Sequence, residues 1–239
     1  QFRVRTIHVH HDSKEIALCG QRTALNLSGG APQALVRGHV LAEPGQIEPC
    51  SILNAQISLL PEIELKEGMR IRLLCGSTEI LARIHIFEPN KQNTYAQIRT
   101  ERPLLALPQD RFIIRRESPL ETLGGGVFIE PWAQKVRKKE HLDTTTMLQA
   151  FEQGDGMALL DHRGPRGLTL NEARYFISAQ SSETKRASLN ESLTQAVQLE
   201  DKLYSPSCTG KLVQIVVDHL TQFHTLNPLR QGCSSKSLK

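Results

Sequence analysis

The sequence lacks paired cysteines. Its five, Cys19, Cys50, Cys75, Cys208 and Cys233, stand far apart with no C-x-x-C spacing. A structural zinc site or a disulfide framework is therefore not expected, and buried or incidental thiols in a reducing compartment fit better. No apolar run reaches the roughly 18 residues that a membrane-spanning helix needs. The opening residues, QFRVRTIHVHH, have no apolar signal-peptide core. They also carry no initiating methionine and start directly on strand-like alternation, so a fragment with its upstream part missing is expected. There is no nucleophile elbow, Walker sequence or zinc-protease motif, so no motif favours an enzyme. Leu123-Gly124-Gly125-Gly126 is glycine-rich, but it lacks the Lys-Ser/Thr of a phosphate loop and runs into a strand. A tight turn or a bulge is the better reading.

What is present is ordinary for a globular protein: 239 residues, 39% hydrophobic and 23% charged. That length allows two or three small domains. The net charge of +4 is mildly basic, compatible with nucleic acid without requiring it.

The first two-thirds reads as β. Phe2 to His10 alternates with period two, as does Ala55 to Leu59. Met69–Leu74, Ile80–Ile86, Tyr95–Arg99, Arg111–Arg115 and Gly126–Ile129 continue the pattern. Turn signals separate these runs at Ser28-Gly29-Gly30, Glu43-Pro44-Gly45, Glu67-Gly68, Cys75-Gly76-Ser77 and Pro89-Asn90-Lys91. Many short strands at this spacing predict barrels or sandwiches, with Pro44-Gly45 between two β units.

After Pro131-Trp132 the character changes. A basic run, Lys135-Val136-Arg137-Lys138-Lys139, leads into helical patterns. Met147, Leu148 and Phe151 form one apolar stripe; Met157 to Leu160 form another, ended by Arg163-Gly164-Pro165. Thr169 with Glu172 has the spacing of a capping box. Leu189, Leu193, Ala196 and Val197 fall on one helical face, predicting a recognition helix over Ser188–Leu199, and Lys202–Pro206 follows as the start of a wing. This is the outline of a winged helix. From Gly210 onward a helical stripe runs to Asn227-Pro228, which stops it. Ser237-Leu238-Lys239 reads as the start of another helix, with a further domain expected beyond it.

Several residues could carry function. Arg22 heads an apolar run, where its guanidinium either snorkels to water or serves as a planar donor to an anion. His8, His10 and His11 form an H-x-H-H cluster, with His8 and His10 sharing one face if the strand continues. No carboxylate or cysteine completes a metal site there, so surface or polar-groove histidines are the simpler reading. The run at 135–139 is either a solvated linker or a phosphate contact. Lys185, Arg186 and Asn190 lie near the start of the recognition helix, where such helices present donors to nucleic acid, although Glu191 and Glu200-Asp201 share it.

Taken together, several stretches resemble the bacterial selenocysteine-specific elongation factor family (SelB). "VRTIHVHHDSKEIALCGQRTALNLSG" with "VRGHVLAEPG" is similar to the second half of that family's domain II barrel. "DRFIIRRESPLETLGGGVFIEP" resembles the end of its domain III. "GPRGLTLNEA" and "LTQFHTLNPLRQGCSSKSLK" resemble its C-terminal winged-helix region. The resemblance implies a mainly β N-terminal part followed by α/β winged-helix domains. Residues 1–45 would be half of domain II, 46–134 domain III, 135–207 a linker and winged helix, and 208–239 the start of a second, truncated winged helix.

The family delivers selenocysteyl-tRNA to the ribosome at recoded UGA codons, and its last winged helices bind an mRNA hairpin. The resemblance therefore implies these partners, a cytoplasmic location and no membrane. It also implies that the GTPase domain, with its GTP and Mg, lies before Gln1, so that this chain is itself no enzyme and holds no cofactor. The hairpin-gripping winged helices would lie after Lys239. Arg22, in the matching G-Q-R, would line the selenocysteine pocket with His8 and His10 as neighbours. There a fixed guanidinium stabilises an ionised selenol more than a neutral serine hydroxyl. Arg115, Arg116, Arg137, Lys138, Lys185 and Arg186 would contact the RNA backbone. The alternative is a DNA-binding winged-helix regulator with a ligand-sensing β domain.

Overall fold

The computed structural model describes residues 1–30, 35–88 and 93–234. The turn at Pro89-Asn90-Lys91 and the helix start at Ser237-Leu238-Lys239 lie outside the described residues. The first unit is a small antiparallel sheet of order β2-β1-β3, from β1 (Arg3–Val9), β2 (Asp12–Lys14) and β3 (Thr23–Ser28). Val4 pairs with Leu27, Ile7 with Leu25 and Val9 with Thr23, which gathers the apolar side chains on one face. A bulge between Val4 and Thr6 keeps that face in phase. Val4 and Leu25 nonetheless stay exposed.

The histidine cluster does not extend the strand. β1 ends at Val9, which pairs with Asp12, and His10 and His11 form the connecting two-residue loop with φ of 51° and 72°. A right-twisted hairpin with a two-residue loop needs left-handed backbone at both central positions. His8 and His10 therefore do not share a strand face, correcting the sequence expectation. Replacing the pair by the residues this turn favours, His10→Asn with His11→Gly, is expected to stabilise the hairpin by about 1 kcal/mol. Amide exchange across β1 and β2 measures it; faster exchange in the variant would mean that the imidazoles make contacts worth more than the turn strain.

The second unit is a closed barrel. Its strands are β4 (Cys50–Leu59), β5 (Arg70–Cys75), β6 (Thr78–Ile86), β7 (Asn93–Leu104), β8 (Arg111–Arg116) and β9 (Thr122–Glu130), in the order β4-β7-β6-β5-β8-β9. β9 pairs back onto β4, so no strand edge is left open. Alternate residues fill the interior: Leu53, Ala55, Ile57, Ile71, Leu73, Ala82, Ile84, Ala96, Ile98, Phe112 and Ile114 are all buried. Each large one contributes about 1.5–3 kcal/mol by leaving water.

The glycine-rich stretch is part of β9 rather than a turn. The bulge reading stands, because Leu123 is the extra residue between the pairs Gly124–Ile114 and Thr122–Arg115. Burial and the charge of Asp110 push the Cys75 thiol up to about 11, so it stays protonated at neutral pH.

The third unit is helical with a small sheet. It holds α1 (His141–Glu152), α2 (Gly156–Arg163), β10 (Leu168–Thr169), α3 (Leu170–Ala179), α4 (Glu183–Thr194), β11 (Val197–Leu199) and β12 (Lys202–Tyr204). The predicted capping box is present: the Glu172 amide donates to the Thr169 hydroxyl, and the Glu172 carboxylate accepts from the Thr169 amide. The recognition helix is displaced from its predicted range. Ser182 caps α4 at its N-terminus, Gln195 ends it, and Val197–Leu199 is the first wing strand, paired with β12. The β-branched Val197 and the left-handed Glu200 at the turn suit a hairpin better than another helical turn. A long helix, α5 (Pro206–Leu226), follows and stops at Asn227 as expected. Its Val213, Ile215 and Val217 are exposed.

Barrel and helical unit share one apolar cluster. Phe87, Tyr95, Ile129 and Val136 pack with Met147, Leu148, Phe151, Leu160 and Phe176.

Candidate functional site

Strand alternation points Asn54 and Gln97 out of the barrel, since their neighbours Leu53 and Ile98 fill its interior, and a bulge at Ile129 sets Glu130 opposite Asn54. They stand side by side on three adjacent strands: Asn54 is the cross-strand partner of both Gln97 and Glu130. The helical unit covers this polar row and makes its hydrogen bonds obligatory. Asn54 Nδ2 donates to Glu130 Oε2 at 2.8 Å, and Gln97 Nε2 donates to Asn54 Oδ1 at 2.9 Å. Arg99 Nε donates to Gln97 Oε1, and Arg99 Nη2 to the Val136 carbonyl at 2.9 Å.

Across the interface Arg163, from the last turn of α2, completes the row. Its Nε meets Glu130 Oε1 at 2.9 Å and its Nη1 meets Glu172 Oε1 at 3.0 Å. The Arg163, Glu130 and Glu172 side chains are only 1%, 2% and 15% exposed. Burial opposes the Arg163 charge, but the two carboxylates outweigh it and hold the pKa above the ordinary arginine value. A hydrogen-bonded path thus runs from Arg99 through the barrel row to the N-terminus of α3. It clamps the two units together.

The basic run after Trp132 is fixed at its centre. Val136 is buried and its amide donates to Gln97 Oε1, while Lys135, Arg137, Lys138 and Lys139 stay exposed. Arg115 is half-buried, with Nε making no hydrogen bond. Arg116 pairs with Glu121 at 3.0 Å across the β8–β9 hairpin. Lys185 and Arg186 lie in the first turns of α4, and Arg186 Nη2 donates to the Gln180 carbonyl. No hydrogen bond or ion pair among the described residues joins these three groups.

Sequence reasoning missed a row of arginines on the barrel exterior. Arg83 is the cross-strand partner of both Arg70 and Arg99, and Arg72 faces Arg115. Like charges directly opposite repel. Glu101 and Glu117 neutralise Arg70, and Glu79 neutralises Arg72. Among the described residues Arg83 reaches only the Gly68 carbonyl, and it remains exposed. The signal was there in the outward positions of "RIRLL", "LARIH" and "QIRTE", legible once strands β5, β6 and β7 are known to be neighbours.

Arg22 lies just before β3 and is exposed, with no hydrogen bond or ion pair among the described residues. His8 is half-buried in β1, on the face opposite Ile7, and pairs with Ala24; His10 is in the hairpin loop. None of the three lines the nearby cavity of about 900 Å³, which opens between the apolar sheet face and the barrel at Val4, Leu25 and Leu104.

Residues 53–135 match the family model of the β-barrel domain of selenocysteine-specific elongation factors. The whole chain is similar to the selenocysteine-specific elongation factor of Desulfomicrobium baculatum, at 31% identity over 249 residues, covering 99% of the chain and 39% of that protein. The corresponding protein of Escherichia coli K12 is 28% identical over 164 residues, covering 67% of the chain and 26% of its own length. The crystal structure of a bacterial selenocysteine-specific elongation factor, EF-Sec, superposes with a TM-score of 0.75 at 22% identity, over 99% of this chain and 37% of that one. At that identity the likeness establishes the fold. The chain thus spans between a quarter and two-fifths of the length of these relatives. The barrel match at residues 53–135 and the end-to-end similarity at 31% identity place this chain in the family of selenocysteine-specific elongation factors.

Proposed function

We propose that this chain serves, within a full-length factor, to hold selenocysteyl-tRNA and to connect the tRNA-binding barrels with an mRNA-reading end. The observation that carries this reading is the end-to-end similarity at 31% identity along 99% of the chain. In this reading the full-length protein delivers its tRNA to the ribosome at recoded UGA codons and works in the cytoplasm. GTP and Mg bind to a domain that this chain does not include, and the selenoprotein mRNA hairpin binds to further winged helices. Among the described residues no helix is long and apolar enough to cross a membrane.

Two sets of residues divide the work. Arg22, whose charge is unengaged among the described residues, is the donor for the ionised selenol, and His8 on the same sheet and His10 in the adjoining loop are its candidate neighbours. Arg83, Arg115, Arg116, Arg137 and Lys138, with Lys185 and Arg186 on α4, supply contacts to the RNA backbone. Each such contact is individually weak and fades with salt.

The decisive measurement is protection of the aminoacyl ester from hydrolysis by the full-length factor, with selenocysteyl- and seryl-tRNA compared across a salt series. Arg22→Ala is expected to lower the preference for selenocysteyl-tRNA about tenfold, or about 1.4 kcal/mol, by removing one charge-assisted contact. Equal loss for both tRNAs would reject Arg22 as the discriminating group.

A further inference from the structure

Barrel, linker and winged helix meet at a cleft of about 390 Å³ whose lining includes Gln46, Glu48, Trp132, Arg166, Tyr175 and Lys202. It lies beyond the residues assigned to tRNA binding above and does not depend on that reading. Trp132 holds a left-handed backbone, with φ of 60°. That conformation is unfavourable for a bulky side chain and concentrates at functional sites. The surroundings keep the indole in place: Nε1–H donates to the Glu48 carbonyl at 2.7 Å, and the ring meets Phe176 edge-on at 6.3 Å. The Tyr175 ring lies 6.4 Å away, tilted by 41°, with its hydroxyl donating to Gln46. Two half-buried aromatic side chains thus border the same opening.

The charges beside them are unspent. Arg166 and Lys202 are both half-buried, and neither makes a side-chain hydrogen bond or ion pair among the described residues. Burial and the neighbouring Arg163 guanidinium lower the Arg166 pKa, with Glu172 and Glu130 partly offsetting them. Three carboxylates also line the cleft: Glu48, Asp201 and Glu172. Glu172 is taken up by Arg163 and the α3 cap. The other two make the cleft unsuited to a polyanion. They suit a ligand with a single phosphate and an amino group to donate.

We propose that this cleft receives one unstacked nucleotide of a single-stranded RNA. The base lies against Trp132 and Tyr175, the phosphate meets Arg166 and Lys202, and an exocyclic amino group donates to Glu48 or Asp201. Stacking on aromatic side chains with nearby cations is the general chemistry of single-strand recognition. The carboxylates add a preference over uracil for bases with an exocyclic amino group, which can donate to them.

Trp132 is the sole tryptophan of the chain, so its emission reports from the cleft directly. The intact chain is titrated with 5′-phosphorylated tetra-adenylate, tetra-uridylate and AMP. The expected result is saturable quenching by tetra-adenylate and by AMP, which carries the one base, phosphate and amino group that the cleft holds, with weaker binding of tetra-uridylate. Arg166→Gln is expected to raise the tetra-adenylate Kd at least tenfold, and Tyr175→Leu to raise it several-fold. Because Arg166 adjoins the buried clamp, Lys202→Gln on the wing serves as a second variant, expected to weaken binding several-fold with an unchanged melting temperature. Absence of saturable quenching, AMP binding more tightly than tetra-adenylate, tetra-uridylate binding as tightly as tetra-adenylate, or affinity unchanged in both charge variants would each overturn the proposal.

Discussion

Arg163→Met is expected to destabilise the chain by about 3–5 kcal/mol and to separate the melting of the helical unit from that of the barrel. The guanidinium lies between Glu130 of the barrel and Glu172 of α3, almost wholly out of water. Removing it leaves two carboxylates facing one another, with Asn54 as the remaining side-chain donor to Glu130. Removing one member of a buried ion pair costs that much because the orphaned charge stays desolvated. Methionine keeps most of the side-chain volume, so the loss is electrostatic rather than a cavity effect. Arg163→Met combined with Glu130→Gln should recover a large part of the loss, since the amide still accepts from Asn54 and carries no charge. Calorimetry with both variants decides it. A single transition at the original temperature in Arg163→Met would mean that the shared apolar cluster alone joins the two units.

The second large effect is at the barrel seam. Gly126→Ala is expected to cost about 3 kcal/mol, lowering the melting temperature by roughly 6–12 °C. An alanine Cβ there would stand 2.1 Å from the Gln56 carbonyl oxygen and 2.8 Å from the Phe112 ring. Both β4 and β8 hydrogen-bond to β9 at this point, so neither backbone can retreat without opening the barrel. Gly76→Ala is the comparison. Its Cβ would meet nothing within 4 Å, and only its φ of 54° is costly, so a loss near 1 kcal/mol is expected. Equal losses at the two positions, measured by urea unfolding, would show that conformational freedom rather than close approach is what the seam glycine supplies.

Much of the barrel was legible in the sequence because period-two alternation is a local property. Ile71 and Leu73, or Ala82 and Ile84, declare their inward direction whatever their neighbours are. The capping box at Thr169 and Glu172 and the stop at Asn227-Pro228 were legible for the same reason. Where local rules failed, a non-local partner had intervened. Val197 continued a helical stripe on paper, yet pairing with Tyr204 drew it into the wing. His10 continued an alternation, yet Asp12 returned alongside Val9 and made it a turn residue.

The candidate site divides along the same line. Arginines at 22, 115, 116 and 137 drew attention because a charge beside apolar residues or within a basic run is visible in one dimension. Arg163 did not: it read as the last residue of a short helix. Gln97 fell within an alternating run and Asn54 and Glu130 just outside two others, and the barrel alone would leave all three facing solvent. By itself the sequence determined which side chains face the barrel interior, where α3 is capped and α5 stops, and the basic character of the chain. The tertiary structure decided which outward-facing polar groups lose their water. Burial of that row beneath a second unit turns ordinary surface amides and carboxylates into a chain of obligatory hydrogen bonds, because in the absence of solvent each group must find its partner within the protein.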